Sequence, residues 1–229
     1  MDFIFMLTRQ DRTIADCLDV VDAIRPHGLH NIGFKDVGVP PDVLETLNAR
    51  IRESGATSWM EVVSTGPDTV LQSVRVGARI GVDRLLGGTQ ADAVLPILSG
   101  TRTRYLPFPG RPEGHPTKLG GSPELVEAHC RSFREQGCCG ADLLAYRATE
   151  ADPLALVRAA RRGLGTDGML VVAGSIAHRA QVHALAEEGV DAFTIGSAVF
   201  EGSYAPHLGS LGAQLAAVLA DCASAPRVR

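Results

Sequence analysis

The chain has no surplus of basic charge. Its 26 Asp and Glu outnumber its 22 Lys and Arg, for a net charge of −4, so nothing in its electrostatics points to nucleic acid or an anionic membrane as a partner. No apolar run approaches the roughly 20 residues that a membrane-spanning helix needs. The opening stretch, Met1-Asp2-Phe3-Ile4-Phe5-Met6-Leu7, is an acid followed by five apolar residues. It is too short, and wrongly charged, for a secretory signal. The five cysteines contain no Cys-x-x-Cys and no Cys/His ligand spacing, so neither a metal nor a cofactor is expected. Cys17, Cys130 and Cys222 fall in helical patterns, and Cys138 and Cys139 are adjacent at a helix end. They read as small buried hydrophobes in a reduced, cytoplasmic setting. Linkers and low-complexity segments are also missing. With 45% hydrophobic and 21% charged residues over 229 positions, the composition is that of one globular domain, 1–229, rather than a disordered chain.

What is present is a steady alternation of short apolar runs and longer amphipathic stretches. Strands are expected over 3–8, 31–36, 58–64, 83–86, 104–108, 141–146, 169–173 and 192–195. Helices are expected over about 13–25, 41–55, 67–81, 91–98, 123–136, 153–163, 178–188 and 205–222. Prolines 41, 67, 123 and 153 stand where a first-turn N–H needs no helical partner. The longest connection, 109–121, reads as a polar loop, and 223–229 as a frayed tail. Helical crossovers demand parallel neighbours, and eight such units in this length favour an α/β fold of the (β/α)8 barrel type, a TIM barrel. A faint repeat, Gly81-Val82-Asp83 to Gly88-Thr89 against Gly189-Val190-Asp191 to Gly196-Ser197, spaces two similar βα units as half-barrels would.

The most informative segments end the last two strands in Gly174-Ser175 and Gly196-Ser197. Glycine lets backbone approach an anion, serine adds a donor, and a short helix start near 198–201 would add its positive end. The loops after the last two strands are the frequent phosphate site of such barrels. The pattern Gly-Ser followed by Gly-Val-Asp-Ala-Phe-Thr-Ile-Gly-Ser-Ala resembles the ribulose-phosphate-binding barrels. These include the HisA/HisF barrels of histidine biosynthesis, ribulose-phosphate and N-acetylmannosamine-6-phosphate epimerases and keto-gulonate-phosphate decarboxylases. The resemblance implies that Gly174, Ser175, Gly196 and Ser197 hold a substrate phosphate. It transfers no single activity: the decarboxylases' Asp-x-Lys-x-x-Asp is not matched by Phe34-Lys35-Asp36, and no strand ends in a metal-binding histidine.

Catalytic groups in a barrel lie at the carboxyl ends of strands. Alternation puts Lys35 on the face opposite Phe34 and Asp36, pointing into the barrel mouth. Glu61, an acid inside the apolar run Trp59 to Val63, needs a partner, and Lys35 on the adjacent strand is the natural one. Lys35 could polarise a carbonyl while Glu61 removes the α-proton; alternatively Lys35 could form a Schiff base. Arg9 or Asp11, after the first strand, could reach substrate, and Arg147 is a candidate clamp for an anion. In the 109–121 loop Arg111, Glu113 and Lys118 could face substrate, and His115 could act as an acid or base. Ser64-Thr65 and Gly88-Thr89 could form a second anion site. The expectation is an enzyme on a small phosphorylated sugar or keto-metabolite, an isomerase or epimerase working through Lys35 and Glu61. The alternatives are a Schiff-base aldolase and a non-catalytic phosphometabolite-binding regulator. A homo-oligomer is compatible with all three.

Overall fold

A computed structural model of the chain describes residues 1–64 and 66–226. Eight parallel strands form its centre: β1 (Asp2–Met6), β2 (Asn31–Lys35), β3 (Thr57–Val62), β4 (Arg84–Gly87), β5 (Arg104–Leu106), β6 (Gly140–Leu143), β7 (Met169–Val172) and β8 (Ala192–Ile195). They are hydrogen-bonded in the order β6-β7-β8-β1-β2-β3-β4-β5. The ring closes between β5 and β6, where Cys139 N–H donates to Tyr105 O at 2.9 Å and Asp142 N–H to Pro107 O at 3.0 Å. The expected (β/α)8 barrel is therefore the fold observed.

The crossover helices are α1 (Cys17–Ala23), α2 (Pro41–Glu53), α3 (Pro67–Ile80), α4 (Ala91–Leu98), α5 (Pro123–Gln136), α6 (Pro153–Leu164) and α7 (Arg179–Glu187). After β8 come a single turn, α8 (Ser197–Phe200), and a closing helix, α9 (Leu211–Ser224). Proline opens α2, α3, α5 and α6 as anticipated. Ser122 and Asp152 cap α5 and α6 by accepting from Leu125 N–H and Ala155 N–H. No described helix is long and apolar enough to cross a membrane.

Alternation along each strand divides the core in two. Phe3, Phe5, Phe34, Met60, Leu85 and Phe193 face the helices in the larger core. Ile4, Met6, Trp59, Leu86, Leu106 and Val171 fill the barrel interior. Near the amino end of the strands Trp59 Nε1–H donates to Asn31 Oδ1 at 3.0 Å, and the Arg84 guanidinium lies over the indole. Gly33 also faces inward, because a Cβ there would run into Met6 Sδ. Below the mouth the interior is thus filled by side chains.

Four local expectations are corrected. The first helix starts at Cys17 rather than 13, because residues 8–13 fold into an antiparallel ribbon, Thr8–Arg9 against Arg12–Thr13, turned by Gln10 and Asp11 at positive φ. The 109–121 connection contains a second ribbon, Arg111–Glu113 against Lys118–Gly120. The sixth strand stops at Leu143, and Ala145–Arg147 is a 3-10 turn. The last helix begins at Leu211, not 205, and continues to Ser224 into the segment expected to fray; residues 227–229 lie outside the described residues.

Gly33→Ala should lower stability by about 1–3 kcal/mol through overpacking, and adding Met6→Ala should recover part of the loss. Urea melts of the two single variants and the double variant check the coupling.

Candidate active site

The carboxyl ends of β1, β2, β3, β7 and β8 surround a cavity of about 330 Å³. Lys35 and Glu61 stand in register on β2 and β3 and both line it. Lys35 Nζ donates to Glu61 Oε1 at 3.2 Å and to Asp11 Oδ1 at 2.8 Å. Lys35 is 4% exposed, Glu61 3% and Asp11 6%. The ribbon at residues 8–13 brings Asp11 there. Thr13 Oγ1 donates to Lys35 O at 2.7 Å and accepts from Lys35 N–H at 2.8 Å, pinning the ribbon to the end of β2.

Asp11 is shared with Arg147, whose guanidinium grips both carboxylate oxygens, at 2.6 and 2.9 Å. The second ribbon closes over this pair: Thr117 N–H donates to Asp11 Oδ2 at 3.3 Å, and Thr117 O accepts from Arg147 at 3.3 Å. Burial acts to raise the Asp11 carboxyl, but Arg147 and Lys35 outweigh it and hold the group far below the usual carboxylate range. Burial likewise acts to lower Lys35, yet the charges of Glu61 and Asp11 win and hold its ammonium above the ordinary lysine value. Two cations and two carboxylates thus balance.

A third acid, Asp142 on β6, is wholly buried in the barrel interior, and neither carboxyl oxygen has a hydrogen-bond partner among the described residues. Burial, reinforced by the charge of Glu61, pushes its carboxyl well above the usual range and so favours its protonated form.

Gly174, Ser175, Gly196 and Ser197 line the same cavity, on the side of β7 and β8. Gly174 and Ser175 take positive φ, +81° and +59°. A Cβ on Gly174 would stand 2.6 Å from Arg147 Nε, and one on Gly196 would stand 2.5 Å from Thr8 Oγ1; bare backbone is needed at both. Among the described residues no protein acceptor takes the N–H groups of Gly174, Ser175 or Ile176. The turn α8 starts at Ser197, and Ser197 and Ala198 line the same cavity.

Other candidates lie elsewhere. Arg9 points out of the cavity and stacks over Phe200, 5.0 Å from the ring centroid. Arg111 is exposed and bound to Glu150 at 2.8 Å. His115 and Lys118 are exposed on the second ribbon and line neither this cavity nor the neighbouring one. For Arg111, His115 and Lys118 the reason is common: the expected loop is a paired ribbon, and it delivers Thr117 to the site while these three side chains are exposed. Arg147 does line the cavity, but its guanidinium is engaged by Asp11. Asp36, placed by alternation on the opposite face, accepts from Val63 N–H and Ser73 Oγ behind the site. Of the residues not singled out, Asp142 carried the same signal as Glu61, an acid within an apolar strand. Thr117 carried none. Among the described residues no three His, Cys, Asp or Glu side chains gather as a metal site.

No family model matches this chain, and no curated protein matches it by sequence. Solved structures do. The orotidine 5'-phosphate decarboxylase of Pyrococcus horikoshii OT3 superposes with a TM-score of 0.64 at 12% identity, covering 96% of this chain and 99% of its own. That of Lactobacillus acidophilus gives 0.63 at 14%, covering 96% and 98%. The likeness is one of fold. It covers nearly the whole chain.

The buried acid gives a pH signature. Asp142 binds its proton more tightly folded than unfolded, so it favours the folded state below about pH 4, the unfolded carboxyl value, and that contribution is lost as pH rises. Asp142→Asn should therefore melt higher than wild type at pH 7–8, with the gap closing toward pH 4. A gap independent of pH would contradict a protonated Asp142.

Proposed function

We propose that the chain is an enzyme that moves a proton α to a carbonyl in a small phosphorylated metabolite, an aldose–ketose isomerisation or an epimerisation. The observation that carries this reading is the shared cavity: Gly174, Ser175 and Ile176, whose N–H groups have no protein acceptor among the described residues, line the same space as the Lys35–Glu61 pair. A dianion seated against those amides, Ser197 and the start of α8 would fix one end of the substrate. Its carbonyl would then meet the Lys35 ammonium, a preorganised cation suited to the oxygen of an enediolate. The Glu61 carboxylate, bound to the same ammonium, is within reach of the α-proton. As Glu61 takes the α-proton its own charge is neutralised while the enediolate's forms, so the step adds no net charge to the site.

The same electrostatics weigh against the Schiff-base alternative. A nucleophilic amine must be neutral, and Lys35 is held protonated between two carboxylates. One further reading has an observation in its favour: the structurally similar proteins are decarboxylases of a phosphorylated substrate. Loss of CO2 would leave a carbanion that the Lys35 ammonium could stabilise and protonate.

Incubation in D2O with ketose phosphates of three to six carbons separates these readings. Deuterium should enter the α-position, no borohydride-stable adduct should form, and no CO2 should appear. Release of CO2, or a trapped adduct on Lys35, would overturn the proposal. Glu61→Gln should slow exchange by about 10²–10⁴-fold while leaving phosphate binding nearly unchanged. Gly196→Val should abolish phosphate-dependent protection against thermal unfolding, and exchange with it.

A further inference from the structure

A cavity of about 830 Å³ opens at the amino end of the barrel, opposite the mouth, among the first residues of β4, β5 and β7. Arg84 and Arg104 open β4 and β5, line this cavity and are partners in strand register. They fall on the same strand face as Leu86 and Leu106, which fill the barrel interior, so the two side chains start side by side, about 4.8 Å apart. Arg102, in the connection that leads into β5, lines the same cavity.

Like charges on neighbouring strands repel unless something offsets them. Among the described residues no carboxylate lies within ion-pairing distance of Arg84 or Arg104. Asp83 is already shared by Arg52 at 3.7 Å and Arg102 at 3.8 Å, and it accepts from Ser58 N–H and Oγ. Asp167, the one carboxylate lining the cavity, accepts from Thr166 Oγ1 at 3.3 Å. The Arg84 guanidinium lies 5.7 Å from the Trp59 ring centroid, and its Nη1 donates to Asp83 O at 3.2 Å. Its Nε is buried and takes no part, but Nη2 has no acceptor and stays open to solvent. Arg104 is exposed, and its guanidinium has no hydrogen-bond partner among the described residues. Stacking on Trp59 accounts for Arg84 as filling of the barrel floor. It does not account for a second arginine beside it.

The second anion site suggested by Ser64-Thr65 and Gly88-Thr89 finds no such support. Ser64, Gly88 and Thr89 line a cavity of about 500 Å³ at the mouth, and Thr65 lies outside the described residues. The arginine of that cavity, Arg111, is held by Glu150 at 2.8 Å, and Glu113 adds a carboxylate to the wall.

We propose that the amino-end cavity is an anion site, separate from the phosphate turns at the mouth, that binds a diphosphate group among Arg84, Arg102 and Arg104. Guanidinium forks take phosphate oxygens two at a time. Two phosphoryl groups joined through one oxygen meet the in-register pair together, whereas a single orthophosphate carries less charge and engages fewer of the three arginines.

The chain's one tryptophan, Trp59, lies under Arg84, so its emission reports on that guanidinium. Inorganic diphosphate, orthophosphate and ADP are each titrated into the full chain at constant ionic strength, with emission and calorimetry read in parallel. Diphosphate should give a saturable change in emission and bind about tenfold more tightly than orthophosphate. Arg104→Gln, at an exposed side chain with no partner to lose, should fold as wild type does and weaken diphosphate by about 10- to 100-fold. Gly196→Val, which blocks the phosphate turns at the mouth, should leave the emission change and its affinity intact. ADP binding more tightly than the free ion assigns the diphosphate group to a nucleotide, and weaker binding assigns it to the free ion. An emission change undiminished by Arg104→Gln, one lost with Gly196→Val, or no saturable response in either readout would overturn the inference.

Discussion

The Lys35 ammonium is buried at the top of a sealed barrel, and much of the surrounding architecture serves to keep it charged. An unpaired cation there would be neutralised or expelled. Two carboxylates prevent this, and they reach it by different routes. Glu61 comes by strand register, one position across on β3. Asp11 comes from a turn that exists because a two-residue ribbon is pinned to β2 through Thr13. Asp11 then needs a second cation, and Arg147 supplies it from the turn after β6. The cluster thereby ties together the first, second, third and sixth strand ends and both ribbons.

Such a network is weak evidence for stability. Buried ion pairs lose in desolvation roughly what they gain in attraction, and well-packed apolar side chains often do as well. Met6, Leu86 and Leu106 immediately below show that this barrel fills its interior with apolar groups where chemistry does not intervene. The concentration of Asp11, Lys35, Glu61, Asp142 and Arg147 at one end is therefore best understood as equipment for handling charge. Asp142, without a hydrogen-bond partner among the described residues, marks the limit of what the two cations can balance: burial and the charge of Glu61 favour its neutral form.

The bare backbone at Gly174 and Gly196 belongs to the same design. Arg147 packs against Gly174, and Thr8 against Gly196. The turns that leave amides free also give the charged cluster room to close. The glycine-serine turns and the lysine pair thus reach one cavity through shared contacts, although β7 and β8 carry the former and β2 and β3 the latter.

The sequence by itself determined the barrel and much of its upper rim. Eight apolar runs alternating with proline-opened helices leave a parallel ring as the economical way to bury every strand, and period-two alternation put Lys35 and Glu61 on one face. Those signals are local, and each is readable within a few residues. What only the tertiary structure decided is which distant groups complete the site. Asp11 and Arg147 are 136 positions apart, and Thr117 reaches them from a segment that looked like an open loop. Pairing of that segment into a ribbon turned His115, Lys118 and Arg111 outward. Whether a polar residue meets a charge or meets water depends on ribbon register and barrel closure, both fixed by contacts far apart in the chain, and no periodicity along the chain encodes them.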